Sequence, residues 1–397
     1  MKLNTTIVAG EQLFTADHEA FRDQVRRFVR ERVEPHAEEW NAAGMLPRSI
    51  WIEMGELGFL GTAYAECFGG SDVDLLYSVV LAEELTKTRV SGFSFAVCNH
   101  KDMSSNYMLD ASQEIQDKYL PRVVSGELIC GFALTEPSGG SDVAAIRTSA
   151  VRDDSDFVIN GQKVFITNGI SADLIIVVAR TDPKPARPHE GISLFAVETT
   201  TSGFRKGAPL QKMGNRASDT AELFFEDMRV PAANLIGEEG KGWGLIMADL
   251  GIERLLSCGI YISACEEMLR ITADYAQNRK VFGRSVSEFQ VNAHKLAEMY
   301  TEVTLAKVFF YDVLRRYMAG ENLIKEISMI KYIASDLANK IAYACVSLHG
   351  GWGYMKEYAI SQWFTDVRLF NIGAGTSEIM KEIIVKQLFG SPEKAQK

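Results

Sequence analysis

The chain has 397 residues, 47% of them apolar, so it can bury the cores of two or three domain-sized units and is far too hydrophobic to be disordered. A formal net charge of −10 at pH 7 repels nucleic acid and anionic membrane surfaces unless a local basic patch opposes it, so any anionic ligand has to be met locally. The six cysteines (Cys67, Cys98, Cys130, Cys258, Cys265, Cys345) form no Cys-x-x-Cys pair, which favours reduced thiols over disulfides or a zinc site; with no apolar run of about 20 residues and no signal-peptide blocks at the start, the expected address is the cytoplasm.

From about Thr15 to Trp40, Phe21, Val25, Phe28, Val29 and Val33 recur at three- and four-residue spacing, the pattern of an amphipathic helix that Pro35 trims or bends. Further helices are expected from Ile50 to Leu57, Leu75 to Leu85 and Ile115 to Tyr119, separated by breaks such as Gly69-Gly70. After about Gly131 the texture turns to strands. Asp156 to Asn160 and Lys163 to Thr167 flank Asn160-Gly161, a dipeptide that predicts a type I′ hairpin because both residues tolerate positive φ. Leu174 to Ala179, Ile192 to Val197 and Ala221 to Phe225 continue the strands. Beyond Gly242 the helical period returns through Glu253 to Ala276, Ser287 to Met318, Leu323 to Ser347 and Ser377 to Leu388, long helices suited to a bundle. The fold class is therefore α+β, in the order helical domain, β domain, helical domain.

The stretch from Gly131 to Asp142, with Leu134-Thr135-Glu136-Pro137 and Gly140-Ser141-Asp142, sits where helix gives way to strand, and its glycines let backbone amides approach a planar ring or a phosphate. Alone it reads equally as a turn. It is followed by Phe165-Ile166-Thr167-Asn168-Gly169, then by Asn278-Arg279-Lys280-Val281-Phe282-Gly283, and finally by Leu348-His349-Gly350-Gly351-Trp352-Gly353-Tyr354. With these strings in this order, the chain resembles the acyl-CoA dehydrogenase family over almost its whole length.

The resemblance implies an N-terminal α-helical domain (1–131), a middle β-barrel-like domain (132–240) and a C-terminal four-helix bundle (241–397). It implies FAD as cofactor, with Phe132, Leu134, Thr135, Gly140, Ser141, Phe165 and Thr167 around the isoalloxazine and Ser141 also touching the acyl-CoA. The Arg279-Lys280-Val281-Phe282-Gly283 string would reach across a subunit interface to a neighbour's FAD diphosphate, a contact for which the planar fork of arginine is suited. That implies a homo-oligomer, usually a tetramer. Gln290 and the Leu348, His349, Gly350, Gly351 turn complete the cofactor set. His349 is expected to shape that turn and to carry no proton-transfer role. Where the family commonly has Gln before this turn, the chain has the shorter Ser347, which puts one adenine-side contact in doubt.

Desaturation of a thioester requires a carboxylate to remove the α proton while the β hydrogen leaves as hydride. Much of the family carries that Glu just before the final Gly-Thr, but here Asn371-Ile372-Gly373-Ala374-Gly375-Thr376 offers no carboxylate. The long-chain and isovaleryl enzymes carry the base earlier, in a Glu-Arg-Leu string, matched here by Glu253-Arg254-Leu255. Glu253 is therefore the expected base, with Arg254 shaping its electrostatics. A lone Glu in the first turn of a helix would otherwise read as a solvated carboxylate favoured by the macrodipole. In the family the flavin ribityl hydroxyl and the backbone N–H at the Ala374 position polarise the thioester carbonyl, and a backbone donor survives substitution by alanine. Glu378 follows Thr376 at a helix start, where Thr376 caps and Glu378 complements the dipole; in the family this position touches the flavin or its ribose.

The leading expectation is FAD-dependent α,β-dehydrogenation of an acyl-CoA, or of an acyl group on a carrier protein, with electrons passed to an electron-transfer flavoprotein. Two alternatives share the fold. The departures at Ala374, Ser347, Asn215 and Cys67-Phe68-Gly69-Gly70 would suit an oxygenase or oxidase of a specialised pathway, and a catalytically silent relative would keep FAD for stability.

Overall fold

The structure, a computed structural model, describes residues 13–390. Its first part is helical: α1 (Ala16–Phe28), α2 (Ala37–Ala43), α3 (Arg48–Glu56), α4 (Leu75–Thr86), α5 (Phe93–Cys98) and α6 (Gln113–Val124). The expected long first helix is split. Pro35 lacks an N–H and its ring would strike the carbonyl four residues back, so the chain widens into a π turn over Val29–Val33 and narrows through Glu34–His36 before α2 begins.

Eight strands follow: β1 (Cys130–Ala133), β2 (Ser149–Asp153), β3 (Asp156–Thr167), β4 (Leu174–Arg180), β5 (Ile192–Glu198), β6 (Phe204–Pro209), β7 (Thr220–Pro231) and β8 (Leu235–Ile236). They form one sheet in the order β6-β7-β3-β2-β4-β5-β8, with β1 parallel to β4. The hairpin expected at Asn160-Gly161 is absent, because β3 runs straight through it. Asn160 instead exchanges hydrogen bonds with Asp227 of β7 (2.8 and 3.1 Å), and the extra residue is absorbed as a bulge. A Cβ at Gly161 would come within 2.5 Å of Thr148 Oγ1, so glycine serves close approach there. The tight turn lies between Asp153 and Asp156, with Asp154 at φ 54°.

Alternation along β4 and β5 divides the molecule into cores. Leu174, Ile176, Val178, Ile192, Leu194 and Ala196 face α6 and the start of the next helix, while Ile175, Val177, Ala179, Phe195 and Val197 face Phe157 and Phe225. Both faces are buried, which is why these strands read as unbroken apolar runs.

The rest of the chain is α7 (Gly242–Asn278), a small hairpin of β9 (Lys280–Val281) and β10 (Arg284–Ser285), then α8 (Gln290–Met318), α9 (Ile324–His349), α10 (Ala359–Asp366) and α11 (Ser377–Phe389). The four long helices pack together, α9 touching α7, α8 and α11. The helix α7 starts at Gly242, well before the expected Glu253. Its glycines at Gly242, Gly244 and Gly251 weaken the sequence signal, but Ile246 and Leu250 are buried against the sheet core and hold the first turns helical. Glu253 therefore lies beyond the reach of the helix N-terminus, and the macrodipole reading of it fails. Among the described residues, no helix is long and apolar enough to cross a membrane.

Candidate active site

The Leu134 to Ser141 segment is held from beneath by a buried ion pair. Lys163 on β3 donates to Glu136 (2.9 Å) and to the Leu134 carbonyl (2.9 Å), and Glu136 also accepts from the N–H groups of Arg147 (2.7 Å) and Thr148 (2.9 Å). Burial works to raise the Glu136 carboxyl, but Lys163 and these donors hold it below the usual range; burial brings Lys163 down to about 8 against the pull of Glu136. The Val164 N–H bonds the Thr135 carbonyl at 2.9 Å, bringing the segment against the end of β3. Gly140 lies close enough to Thr135 that a Cβ would sit 3.3 Å from its methyl, while Gly140 and Ser141 stay exposed. At the strand end Phe165 has φ 61° and is 68% exposed, an aromatic ring in a strained conformation turned outward. The next turn is fixed by buried Asn168, which donates to the carbonyls of Ala96 (3.0 Å) and Cys130 (3.2 Å), leaving Thr167 half-buried at the rim. On β1 the Phe132 ring stacks on Tyr107 at 4.8 Å. The segment and the Phe165 to Thr167 turn are thus one surface, with exposed glycine backbone and a free aromatic face that fit a flavin ring.

A second surface gathers residues far apart in sequence. Arg279 at the end of α7 and Ser347, Leu348, His349, Gly350 and Gly351 at the end of α9 line one groove of about 570 Å³. His349 is buried, its Nδ1 2.9 Å from the Cys345 carbonyl and its ring stacked on Tyr275 at 4.3 Å, so it shapes the turn. Ser347 donates to the Tyr343 carbonyl (3.0 Å), leaving its hydroxyl committed within α9. A Cβ at Gly350 or Gly351 would meet nothing within 4 Å, so the backbone there is open to a ligand. Phe282 takes φ 50° in the β9–β10 turn and is 95% exposed. Gln290 is exposed at the start of α8, outside the groove lining. No residue of the Leu134 to Ser141 segment lines this groove, so one chain keeps the two surfaces apart.

The third surface surrounds Glu253 on α7. Among the described residues neither of its oxygens accepts a hydrogen bond or an ion pair, although it is only half open to solvent. Burial pushes its carboxyl up to about 7, helped by Asp249 one turn earlier and opposed by Arg254 and Lys331. Arg254 makes no ion pair with Glu253; its Nε donates to the Ala374 carbonyl at 2.9 Å. Buried Lys331 donates to the carbonyls of Phe370 (3.0 Å) and Gly375. These two cations hold the turn in which Ala374 takes φ 53°, a left-handed conformation that costs an alanine about 1–2 kcal/mol. The Ala374 N–H donates to no group of the chain among the described residues. Just beyond, Thr376 caps α11 through the Ile379 N–H (3.2 Å), and Glu378 is exposed in the first turn, its carboxyl held below the usual range by its own N–H and Thr376.

The sequence pointed to Glu253, Arg254 and Ala374, and the fold brings them together. It gave no sign of Asp249, Lys331 or Lys163, whose partners lie at long range or one helical turn away. Only their placement on α7, α9 and β3 beside the motif residues exposes them.

Comparison with known proteins fits this arrangement. The acyl-CoA dehydrogenase N-terminal, middle and C-terminal domains match residues 15–127, 131–228 and 240–389. The chain is 44% identical over 384 residues to a mitochondrial long-chain specific acyl-CoA dehydrogenase of Mus musculus, covering 96% of this chain and 89% of that protein. It is 36% identical over 385 residues to a mitochondrial isovaleryl-CoA dehydrogenase of Oryza sativa subsp. japonica, covering 96% and 93%. Among solved structures, an acyl-CoA dehydrogenase from Geobacillus kaustophilus superposes with a TM-score of 0.93 at 44% identity, covering 95% of this chain and 99% of that one. A glutaryl-CoA dehydrogenase from Mycobacterium smegmatis in complex with FADH2 superposes with a TM-score of 0.89 at 32% identity, covering 96% of each. With all three domains matched and relatives aligned along nearly its full length, this chain belongs to the acyl-CoA dehydrogenase family, FAD-dependent oxidoreductases acting on CH–CH bonds, and resembles its long-chain and isovaleryl branch.

Proposed function

We propose that this chain desaturates an acyl-CoA thioester between its α and β carbons, with Glu253 as the base and a trans-2-enoyl thioester as product. The observation that carries the reading is Glu253 itself: a half-buried carboxylate with no bonded partner, poised near 7, beside a turn that offers the free N–H of Ala374. A base transfers protons best when its pKa lies near the working pH. Ala374 N–H, held in place through the Arg254 bond to its own carbonyl, would donate to the thioester oxygen and so acidify the α proton. Bound FAD would accept the β hydrogen with its electron pair. Phe132, Leu134, Thr135, Gly140, Ser141, Phe165 and Thr167 would hold the flavin ring, with Ser141 also meeting the acyl-CoA and Thr376 and Glu378 near the ribose. Arg279, Phe282, Gln290 and the Leu348, His349, Gly350, Gly351 turn would serve the FAD diphosphate and adenine side of a neighbouring subunit. That reading requires a homo-oligomer, in the family a tetramer, and divides the chain near residues 131 and 240. Electrons would pass to an electron-transfer flavoprotein, in the cytoplasm, where the six free thiols would stay reduced.

Anaerobic titration with straight-chain and branched thioesters, on CoA and on a carrier protein, is expected to bleach the flavin absorbance with some of them and to yield the enoyl thioester. Flavin that stays oxidised with every thioester would overturn the reading. Rapid reaction of the reduced flavin with oxygen would replace the electron-transfer flavoprotein with an oxidase half-reaction.

Three further outcomes are expected. kcat/KM should rise with pH through about 7 as Glu253 loses its proton. Asp249→Asn removes the negative neighbour that helps to raise Glu253, so the acid limb should move to lower pH; an unmoved limb would show that burial alone sets the base. Arg279→Gln should lower FAD content after dialysis without changing helix content, whereas full retention would place the diphosphate elsewhere.

A further inference from the structure

The loop between β6 and β7 carries a residue that no step above uses, Asn215, at φ 50° in the left-handed region. It is buried against two other polar side chains, and the three come from different parts of the chain. Ser91 lies between α4 and α5, Asn215 between β6 and β7, and Asp366 ends α10. The Asp366 Oδ1 accepts from the Asn215 N–H (2.7 Å), and the Ser91 hydroxyl donates between the two Asp366 oxygens (2.7 and 2.8 Å). The Asn215 side chain donates in turn to the Asp366 carbonyl (3.0 Å), and Ser91 Oγ accepts from the Arg216 N–H (3.0 Å). A Cβ at Gly214 would come within 2.6 Å of the Thr365 backbone, so the loop is pressed against α10. Burial pushes the Asp366 carboxyl up to about 6, against the Asn215 N–H and the Ser91 hydroxyl, so it is a carboxylate at neutral pH and these bonds are charge-assisted.

Both sides of this contact run to the proposed reaction centre. Four residues after Asn215, the Asp219 carbonyl accepts from the Asn168 N–H (3.0 Å) and its carboxylate from the Ile170 N–H (2.7 Å), while Thr220 pairs with Thr167 in the sheet. The loop is thereby bonded to the turn that closes the surface assigned to the flavin ring. On the other side, Ala374 lies eight residues after Asp366. The chain between them is a 3₁₀ turn over Val367–Asn371, with the Phe370 ring stacked on Tyr261 at 4.1 Å and the Ile372 and Gly373 N–H groups on the Leu369 carbonyl (2.8 and 2.9 Å). A segment bonded in this way passes a shift at Asp366 on to Ala374.

We propose that Asp366 is a positioning residue which, by binding Asn215 and Ser91, holds the Ala374 turn at a fixed spacing from the flavin-bearing surface of the sheet. The proposal rests on the dehydrogenase reading. There the thioester oxygen is addressed by Ala374 of the helical bundle, whereas the ring that takes the β hydrogen is held by the sheet. The β carbon is therefore aimed only as well as these two parts are registered, and a misplacement of about 1 Å can cost on the order of 10²-fold in rate.

The test combines Ser91→Ala with Asn215→Gly in the FAD-loaded protein. The pair removes the hydroxyl and the carboxamide, keeps the Asn215 N–H, and places glycine where the left-handed φ suits it. With the acyl-CoA that bleaches the parent protein fastest, the rate of anaerobic flavin reduction at saturation is expected to fall on the order of 10²-fold. FAD content, and affinity for an acyl-CoA with sulfur in place of the β methylene, should stay close to those of the parent. Amide hydrogen exchange, followed by mass spectrometry, should quicken in residues 367–376 as well as in 210–219. An undiminished reduction rate, a loss that follows lost FAD or lost affinity, or unchanged exchange in 367–376 would overturn the proposal. Should the double variant fail to fold, Asn215→Gly alone is judged by the same three readings. Flavin that stays oxidised on the parent protein with every thioester would sink the dehydrogenase reading and this proposal together, whereas reduction of parent and variant at one rate would sink this proposal alone.

Discussion

Glu253→Gln is expected to lower kcat by about 10²- to 10⁴-fold, the usual contribution of a positioned general base, with FAD content unchanged. Glutamine keeps the shape of the side chain and cannot take a proton. Because among the described residues neither oxygen of Glu253 accepts a hydrogen bond or an ion pair, the substitution breaks none of these. Its effect on stability should even be favourable at alkaline pH. A carboxyl raised from 4.5 to about 7 binds its proton more tightly in the folded state, so that stabilisation is complete below 4.5 and is lost as pH rises through 7. A neutral glutamine has no such loss, and the variant should melt higher than the parent above pH 7. Glu378→Gln should behave in the opposite way, keeping turnover per bound flavin while shedding FAD, since Glu378 is exposed at the start of α11. Near-normal kcat in Glu253→Gln would remove the base from this account.

The second large effect is expected at Lys163→Met. Removing one partner of a buried pair leaves an uncompensated charge and typically costs about 3–5 kcal/mol. Here it strands Glu136, which is 5% exposed, and takes the donor from the Leu134 carbonyl in the middle of the flavin segment. Thermal unfolding of the variant should begin at markedly lower temperature, and the purified protein should be depleted of FAD. Adding Glu136→Gln removes the stranded charge and keeps an acceptor for one of the Arg147 and Thr148 N–H groups, so the double variant should recover part of both losses. An unchanged melting point and full flavin content in Lys163→Met would mean that the pair does not support the segment.

The order of helices, strands and helices was legible because each part keeps one hydrophobic period over long stretches. The base was legible only as a matched string, since a carboxylate in a helix carries no mark of burial in the sequence alone. Local signals failed where long-range partners override them. Asn160-Gly161 has the composition of a tight turn, yet Asp227 and Thr148 claim it as a bulge within β3. The first turns of α7 look like a glycine-rich loop until the sheet supplies a surface for Ile246 and Leu250. The helix α5 is buried on nearly every side, so it shows no polar face for a period to reveal. Lys163 and Lys331 read as solvated charges one by one. Their roles come from a carboxylate and carbonyls that the fold brings from other elements.

Proton removal can be isolated from the redox step with an acyl-CoA in which sulfur replaces the β methylene, because such a thioester has no β hydrogen to lose. The decisive measurement is exchange of its α protons with D2O on the FAD-loaded protein, followed by proton magnetic resonance. The account predicts exchange on the parent protein, growing with pH through about 7, and at least about 10²-fold slower exchange on Glu253→Gln with the same FAD content. Exchange at the parent rate in the variant would contradict it, and would show that another group of this chain removes the proton.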